Sequence, residues 1–417
     1  MSSRTVTRAP KPVMIGYGEW VTTAPSPQLF TQDFWDDPHP VYAAMREQAP
    51  VHRLQLPTGM EMWLVTRYAD ARTALGDPRL SKRVGATANA AALAPQISGP
   101  LTRHLLANDP PDHTRLRRLV AKAFTARRVE QLRDRVEQLS AALVDAMRAG
   151  DRADVIDDYA VQLPIQVICE LLGIPQDDQA EFRRWTGVLV AGSVDRSGVP
   201  EAAAQFLAYL RGLIATKRAD PADDLLSALI ASTDQGDRLD EDELTSMVFL
   251  LLIAGHETTV NLIGNGMWTL LTRPEEHRRL LRDPSLIPSA VEEFLRLESP
   301  VETATFRVAM EPVTYGGVTI PAGGVVAISL LSADRDPARF PNPAEVDLGR
   351  PDNQHLAFGH GIHYCLGAPL ARLEAQIAFR DLLAAFPTMR LAVPASELIW
   401  RPGVLIHGTT TLPVQLR

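Results

Sequence analysis

The stretch "MVFLLLIAGHETTVNLIGNGMW", Met247 to Trp268, is apolar on nearly every face of a helix. Such a helix has no side to give to water, so it must run through the middle of a large core. A chain of 417 residues, 46% hydrophobic and 22% charged, can supply that core. Nearly everything from Arg115 to Arg282 carries helical period, with breaks at Gly150, Pro175, near Pro200 and at Gly236. "PHPVYAAMREQAP" reads as a short helix and "MEMWLVTRY" as an alternating strand. "VTYGGVTIPAGGVVAIS" gives short strands, with Gly316-Gly317 as a two-residue hairpin turn. Ala368 to Ala385 is helical and the C-terminus returns to strand. The expected fold class is mainly α with small β-sheets. One large domain, 21–417, follows a loosely ordered arm over residues 1–20. Lys82 to Asn108, rich in Ala, Pro, Gly and Ser, reads as a long loop.

The charge balance narrows the partners. A net charge of -8 argues against nonspecific nucleic-acid binding. Two cysteines cannot build a disulfide framework, which suits a reducing cytosol. The first twenty residues lack the apolar core of a signal peptide, and the apolar run Met247 to Ala254 is too short for a bilayer. A cytoplasmic protein with no membrane and no nucleic-acid partner is expected.

One of the two cysteines stands apart. Cys169 in "LPIQVICELLGIP" reads as a buried hydrophobe. Cys365 instead lies in "AFGHGIHYCLGAPLARLE", among glycines and histidines just before a helix. A metal site of His360, His363 and Cys365 is one option, although structural zinc normally takes four ligands. A buried thiol is another, but it requires no glycines at 359, 361 and 367. Those glycines and Phe358 imply backbone held close to something flat and large. A helix starting just after Cys365 turns peptide N–H groups toward the sulfur and favours the thiolate. That combination suits the axial ligand of a haem iron.

Three further constellations carry polar groups at defined spacings. Glu257, Thr258 and Thr259 interrupt the apolar central segment, where an unpaired carboxylate is costly; a kink with satisfied polar groups is the plainer reading. Gly255 beside Thr258 would let the helix ladder open there. In "VEEFLRLESP", Glu293 and Arg296 lie three apart, a spacing worth little when exposed; Glu292 and Glu298 read as solvated neighbours. In "NDPPDHTRLRRLV", His113 and Arg117 lie four apart and can meet one anion, although a solvated basic helix start has the same pattern.

FGHGIHYCLG closely resembles the haem-binding loop of the cytochrome P-450 family, and the likeness extends from "PHPVYAAMRE" to "LIHG". In look the chain is closest to soluble bacterial members that tailor polyketides and other secondary metabolites. The resemblance implies the cytochrome P-450 fold, with haem b between the central helix and the cysteine loop with its following helix. Cys365 would be the iron ligand; Phe358 and Gly367 belong to the haem loop. Glu257 and Thr258 match the acid–alcohol pair that relays protons when O2 is activated. His113, Arg117, Arg307 and His363 match the haem propionate partners, and Glu293, Arg296 and Arg350 the fold-holding triad. The implied pocket draws on the 82–108 loop, residues about 185–200, the central helix, 301–306 and 403–408. Ala254, Thr259, Thr303, Ala304 and Leu405 are its named candidates.

The activity so implied is a monooxygenase that hydroxylates or epoxidises a sizeable, largely apolar small molecule. Its electrons would come from a separate ferredoxin or flavodoxin with an NAD(P)H-dependent reductase. A haem-binding sensor or carrier without turnover is the alternative. A basic docking face is expected from Arg115, Arg118, Lys122 and Arg372. Between Lys82 and Asn108 there is no Asp or Glu, while Lys82, Arg83, Arg103 and His104 are ionisable. A cationic substrate would then have to use Asp195, Glu201, Glu302 or Glu257, so a neutral or weakly acidic one is expected.

Overall fold

The structure is a computed structural model and describes residue 29 and residues 31–55, 61–83, 101–121, 124–191, 198–233 and 239–417. The expected arm over residues 1–20, most of the 82–108 loop, Lys122 and Asp195 lie outside the described residues.

The central helix runs from Glu241 to Leu271. Asp240 opens it as a capping box: its side chain accepts from Glu243 N at 2.8 Å, while the Glu243 carboxylate accepts from Asp240 N at 3.1 Å. Met247, Leu252, Ile263, Met267 and Leu270 are all buried, as a helix without a polar face requires. Its neighbours are the helices Gln162–Leu172, Ile287–Leu297 and Ala368–Ala385. By length and composition it could also cross a membrane, which corrects the expectation of too short an apolar run. However, 67% of its most apolar window is buried inside the protein, the property of a core helix. Gly266 lets two helices close on it. A Cβ there would fall 2.3 Å from Phe379 Cζ and 2.9 Å from Phe294 Cδ2, and those two rings meet edge to face at 5.0 Å.

The strands are short: β1 (Val51–Gln55), β2 (Glu61–Val65), β3 (Leu80–Ser81), β4 (Arg152–Asp154), β5 (Thr303–Ala309), β6 (Val313–Tyr315), β7 (Val318–Ile320), β8 (Val325–Ser329), β9 (Arg390–Leu391) and β10 (Pro413–Gln415). Five form a mixed sheet in the order β1-β2-β8-β5-β3, with β2 and β8 parallel. The β6–β7 hairpin turns at Gly316 and Gly317, with φ of 53° and 87°, as the two-glycine turn predicts. β4 is a strand that local sequence does not announce. β4 interrupts the helical region after Gly150 because Arg152–Asp154 pair with β10, more than 250 residues away.

The Ile287–Leu297 helix overturns the solvated reading of its charges. Glu293 and Arg296 are fully buried. Arg296 donates to the Glu293 carboxylate at 2.8 and 2.9 Å, and Arg350 joins it at 3.0 Å. Asp347 N and Asn353 Nδ2 complete the shell at 2.9 and 3.1 Å. The spare Arg296 donors hold the carbonyls of Asp334, Pro343 and Glu345. One carboxylate thus ties the irregular chain before the cysteine loop to a core helix. Glu292 and Glu298 are not solvated either. Glu292 holds Arg372 and His355, and Glu298 is buried against Arg335, His39 and His407.

Candidate active site

The cysteine loop is shaped by two left-handed glycines. Gly359 and Gly361 have φ of 73° and 75°, a region that L side chains rarely adopt. A Cβ at Gly361 would also press on Gly76 Cα at 3.0 Å and Leu75 O at 3.2 Å. Cys365 N donates to Phe358 O at 2.9 Å and closes the loop. A Cβ on Gly367 would meet no protein atom within 4 Å, so this residue borders open space. Burial raises the Cys365 thiol above its ordinary range. The N–H groups of Gly367 and Ala368, with Arg117 and Arg372, pull the other way without winning. The N–H groups of the helix start thus act toward the thiolate, as expected, and a coordinated metal deprotonates a thiol outright. Cys169, buried in the Gln162–Leu172 helix, is pushed up to about 12 by burial and is structural, as expected.

Between this loop and the central helix lies a cavity of about 360 Å³. Cys365, Phe358, Gly367, Ala254, Glu257, Thr258, Thr259, Ala304 and Leu405 all line it. The central helix is continuous across Gly255, so the expected opening of its ladder is absent. Instead the Thr258 hydroxyl donates to Ala254 O at 3.0 Å. The Glu257 carboxylate lies 3.3 Å from Arg401 Nη1 and 3.5 Å from His256 Nε2. Burial opposes its charge, but His256 and Arg401 outweigh burial and hold it below the usual carboxylate range.

Thr303 is the exception among the pocket candidates. It turns its hydroxyl to Tyr42, and Thr305 lines the cavity in its place. The register of β5 against β8 shifts between Ala304 and Arg307. The described part of 185–200 also faces elsewhere, with Trp185 stacked on Phe206.

One edge of the cavity is cationic. Lys82, Arg117, Arg307 and His363 line it, and His113 packs on His363 with ring centroids 4.4 Å apart. Both ring nitrogens of His113 and Nδ1 of His363 are buried without a partner. Burial first, then Lys82, His113, Arg307 and Arg117, push His363 down to about 2. Burial also lowers Arg307, to about 10. Such a gathering of unsatisfied donors is costly unless anions meet them. Two carboxylates at this edge would satisfy it, so the residues fit a haem whose propionates lie here and whose iron faces Cys365.

Arg401 and Glu374 were missed by sequence reasoning, and Lys82 was named there only as an ionisable group of the 82–108 loop. Lys82 is 5% exposed and donates to Thr305 O at 2.7 Å; its lysine-in-a-loop context gave no signal. Glu374 lies on the Ala368–Ala385 helix and lines the cavity with Oε2 unpartnered, and burial pushes it up to about 8. Its place in the apolar stripe "LARLEAQIAF" was the available clue. The expected docking cations are partly spent. Arg115 is paired with Glu243, and Arg372 with Glu292 at 2.6 Å.

A thiol under a glycine loop, an acid–alcohol pair opposite and a cationic edge define a haem-thiolate oxygenase. Comparison with known proteins agrees. The family model "Cytochrome P450" matches residues 201–391. Cytochrome P450 107B1 of Saccharopolyspora erythraea is 50% identical over 408 residues, covering 95% of this chain and 99% of that one. Mycinamicin IV hydroxylase/epoxidase of Micromonospora griseorubida is 47% identical over 376 residues, 89% and 94% of the two chains. The solved structure of the P450 monooxygenase TamI with tirandamycin C bound superposes with a TM-score of 0.88 at 47% identity, covering 93% and 99%. The chain belongs to the cytochrome P450 family: it has that fold and is a monooxygenase that carries haem with a cysteine thiolate ligand and uses O2.

Proposed function

We propose that the enzyme hydroxylates or epoxidises a sizeable, largely apolar secondary metabolite of the polyketide or macrolide kind, with Cys365 as the thiolate ligand and Glu257 and Thr258 as the proton path. The observation that carries this reading is that Cys365 and the Glu257–Thr258 pair line one cavity. When bound, the haem activates dioxygen, and thiolate electron density favours O–O cleavage. The chain's own residues do the rest. His113, Arg117, Arg307 and His363 would hold the propionates, and Lys82 adds a further donor to that edge. Glu257, held by Arg401 and His256, takes up a proton, and the Thr258 hydroxyl passes it into the cavity. Ala254, Thr259, Ala304 and Leu405 present a mainly apolar wall to the substrate. A sensor or carrier without turnover needs no such buried acid–alcohol pair. The Thr258→Ala enzyme is expected to bind haem and substrate as wild type while its product per NADPH consumed, with surrogate redox partners, falls by about 100-fold. Coupling equal to wild type would remove Thr258 from the path.

The substrate we infer is neutral or weakly acidic. Among the described residues, the carboxylates lining the cavity are Glu257 and Glu374. The first is engaged by Arg401, and burial favours the neutral form of the second. Glu302 is buried on Tyr42, and Glu201 is exposed and bonded to Gln205. Among the described residues, an ammonium group entering this cavity finds no uncommitted carboxylate. Matched neutral, acidic and amine-bearing analogues of one scaffold, titrated against the haem spin-state shift, should rank the amine weakest. Tighter binding of the amine would refute the inference.

Electrons reach the enzyme, on this reading, from a separate ferredoxin or flavodoxin in the cytoplasm. The cysteine loop exposes Ile362 and Tyr364, 49% and 39% accessible. The exposed face of this loop is the surface we infer is offered to it.

A further inference from the structure

Away from the cavity, three side chains from distant parts of the chain converge. His39 opens the helix His39–Gln48, Glu298 ends the helix Ile287–Leu297, and His407 lies in the C-terminal segment. His39 Nε2 and His407 Nε2 each stand 3.1 Å from the same oxygen, Glu298 Oε2. All three donor atoms lie within 4.8 Å of one another. Among the described residues this is the one cluster of His, Cys, Asp and Glu with that convergence. We propose that His39, Glu298 and His407 bind a divalent transition metal, zinc being the best match, as a site separate from the haem.

The donor chemistry fits. Two imidazole nitrogens and one carboxylate oxygen are a borderline-soft set that zinc accepts, with metal–ligand bonds of about 2.0–2.2 Å. In a tetrahedron, bonds of that length set neighbouring donors roughly 3.3–3.6 Å apart. The two 3.1 Å contacts therefore need to widen by only a few tenths of an ångström.

The surroundings hold the ligands as a metal site requires. Arg335 donates to the other oxygen, Glu298 Oε1, at 2.5 Å, leaving Oε2 to the two histidines. Trp400 stacks on the His407 ring at 4.3 Å and 15° and fixes its plane. Asn265 of the central helix donates 3.0 Å bonds to the carbonyls of both Glu298 and His407, locking their backbones together. Outer contacts of this kind orient metal ligands. Access comes from a groove of about 610 Å³ lined by the three residues together with Asp36, Asp37, Arg46, Arg273 and Arg335, so that its acidic and basic side chains balance.

Occupancy would have a structural consequence. The metal would join the helix His39–Gln48 to the segment that carries Arg401, the partner of Glu257, and the cavity residues Leu405 and Ile406. A ligand that binds only the folded state raises its apparent stability.

The test uses the haem-loaded enzyme, stripped with EDTA, equilibrated with zinc chloride and dialysed. Elemental analysis should find about one zinc per haem iron in wild type, with a zinc-dependent rise in Tm. His39→Gln, a half-buried position at the start of a helix, should lose both while keeping the wild-type carbon-monoxide spectrum. His407→Gln should behave in the same way. Wild type that takes up no zinc, or His39→Gln that takes up as much as wild type, overturns the site and shows the trio to be a hydrogen-bonded cluster only. Either result leaves the monooxygenase assignment untouched, because that rests on the haem cavity.

Discussion

Cys365→Ser is expected to abolish the red-shifted Soret band of the reduced carbon-monoxide complex and, with it, all turnover. Serine has nearly the shape of cysteine, and the loop that carries it is held by Gly359, Gly361 and the Cys365 N to Phe358 O bond, none of which the substitution touches. The variant should therefore fold and can still retain haem through the cationic edge. What it loses is the thiolate, the ligand that pushes electron density toward bound oxygen. Cys169→Ser, by contrast, should leave the spectrum unchanged, because that thiol is buried away from the cavity. A wild-type spectrum of the histidine-ligated type, or an unchanged spectrum in Cys365→Ser, would contradict the assignment.

Glu293→Ala should be close to lethal for the fold. The wild-type carboxylate serves two arginines, one asparagine and a backbone N–H, and its removal leaves Arg296 buried and uncompensated. Breaking a buried ion pair from one side costs about 3–5 kcal/mol. Typical domains hold only about 5–15 kcal/mol in reserve. Thermal unfolding followed by circular dichroism should show a large fall in Tm, or no soluble holoenzyme at all. A Tm within about 2 °C of wild type would show that the network is dispensable.

The same group gives an acid dependence. Burial opposes the Glu293 charge, but Arg296 and Arg350 outweigh it and hold the carboxyl below its ordinary value. Its contribution is thus complete above the unfolded value of about 4.3 and is lost as pH falls through the lower folded value.

Much of this was legible in the chain. The apolar central segment, the helix Ala368–Ala385 and the Gly316-Gly317 hairpin depend on local period and on glycine's access to positive φ, so they could be read residue by residue. The cysteine loop was legible for the same reason: its glycines and its thiol stand within nine residues. The family resemblance singled out His113, Arg117, Arg307 and His363, and the fold gathers them at one edge of the cavity.

Where partners come from afar, the reading failed. Glu298 looked like a solvated neighbour because nothing near it in sequence announces Arg335, His39 or His407, yet all three meet its carboxylate. Thr303 was named for the pocket and Thr305 was not, because the pairing of β5 with β8 decides which of its side chains face the cavity. Arg401 reaches Glu257 across 144 residues, and β4 exists only because β10 returns to pair with it. The sequence by itself determined the thiol, the glycine turns, the apolar helix and the acid–alcohol pair, since each depends on neighbours along the chain. Only the tertiary structure decided which charges are buried and which side chains face the cavity. Desolvation and pairing are properties of what packs against a group, and here those partners lie up to hundreds of residues away.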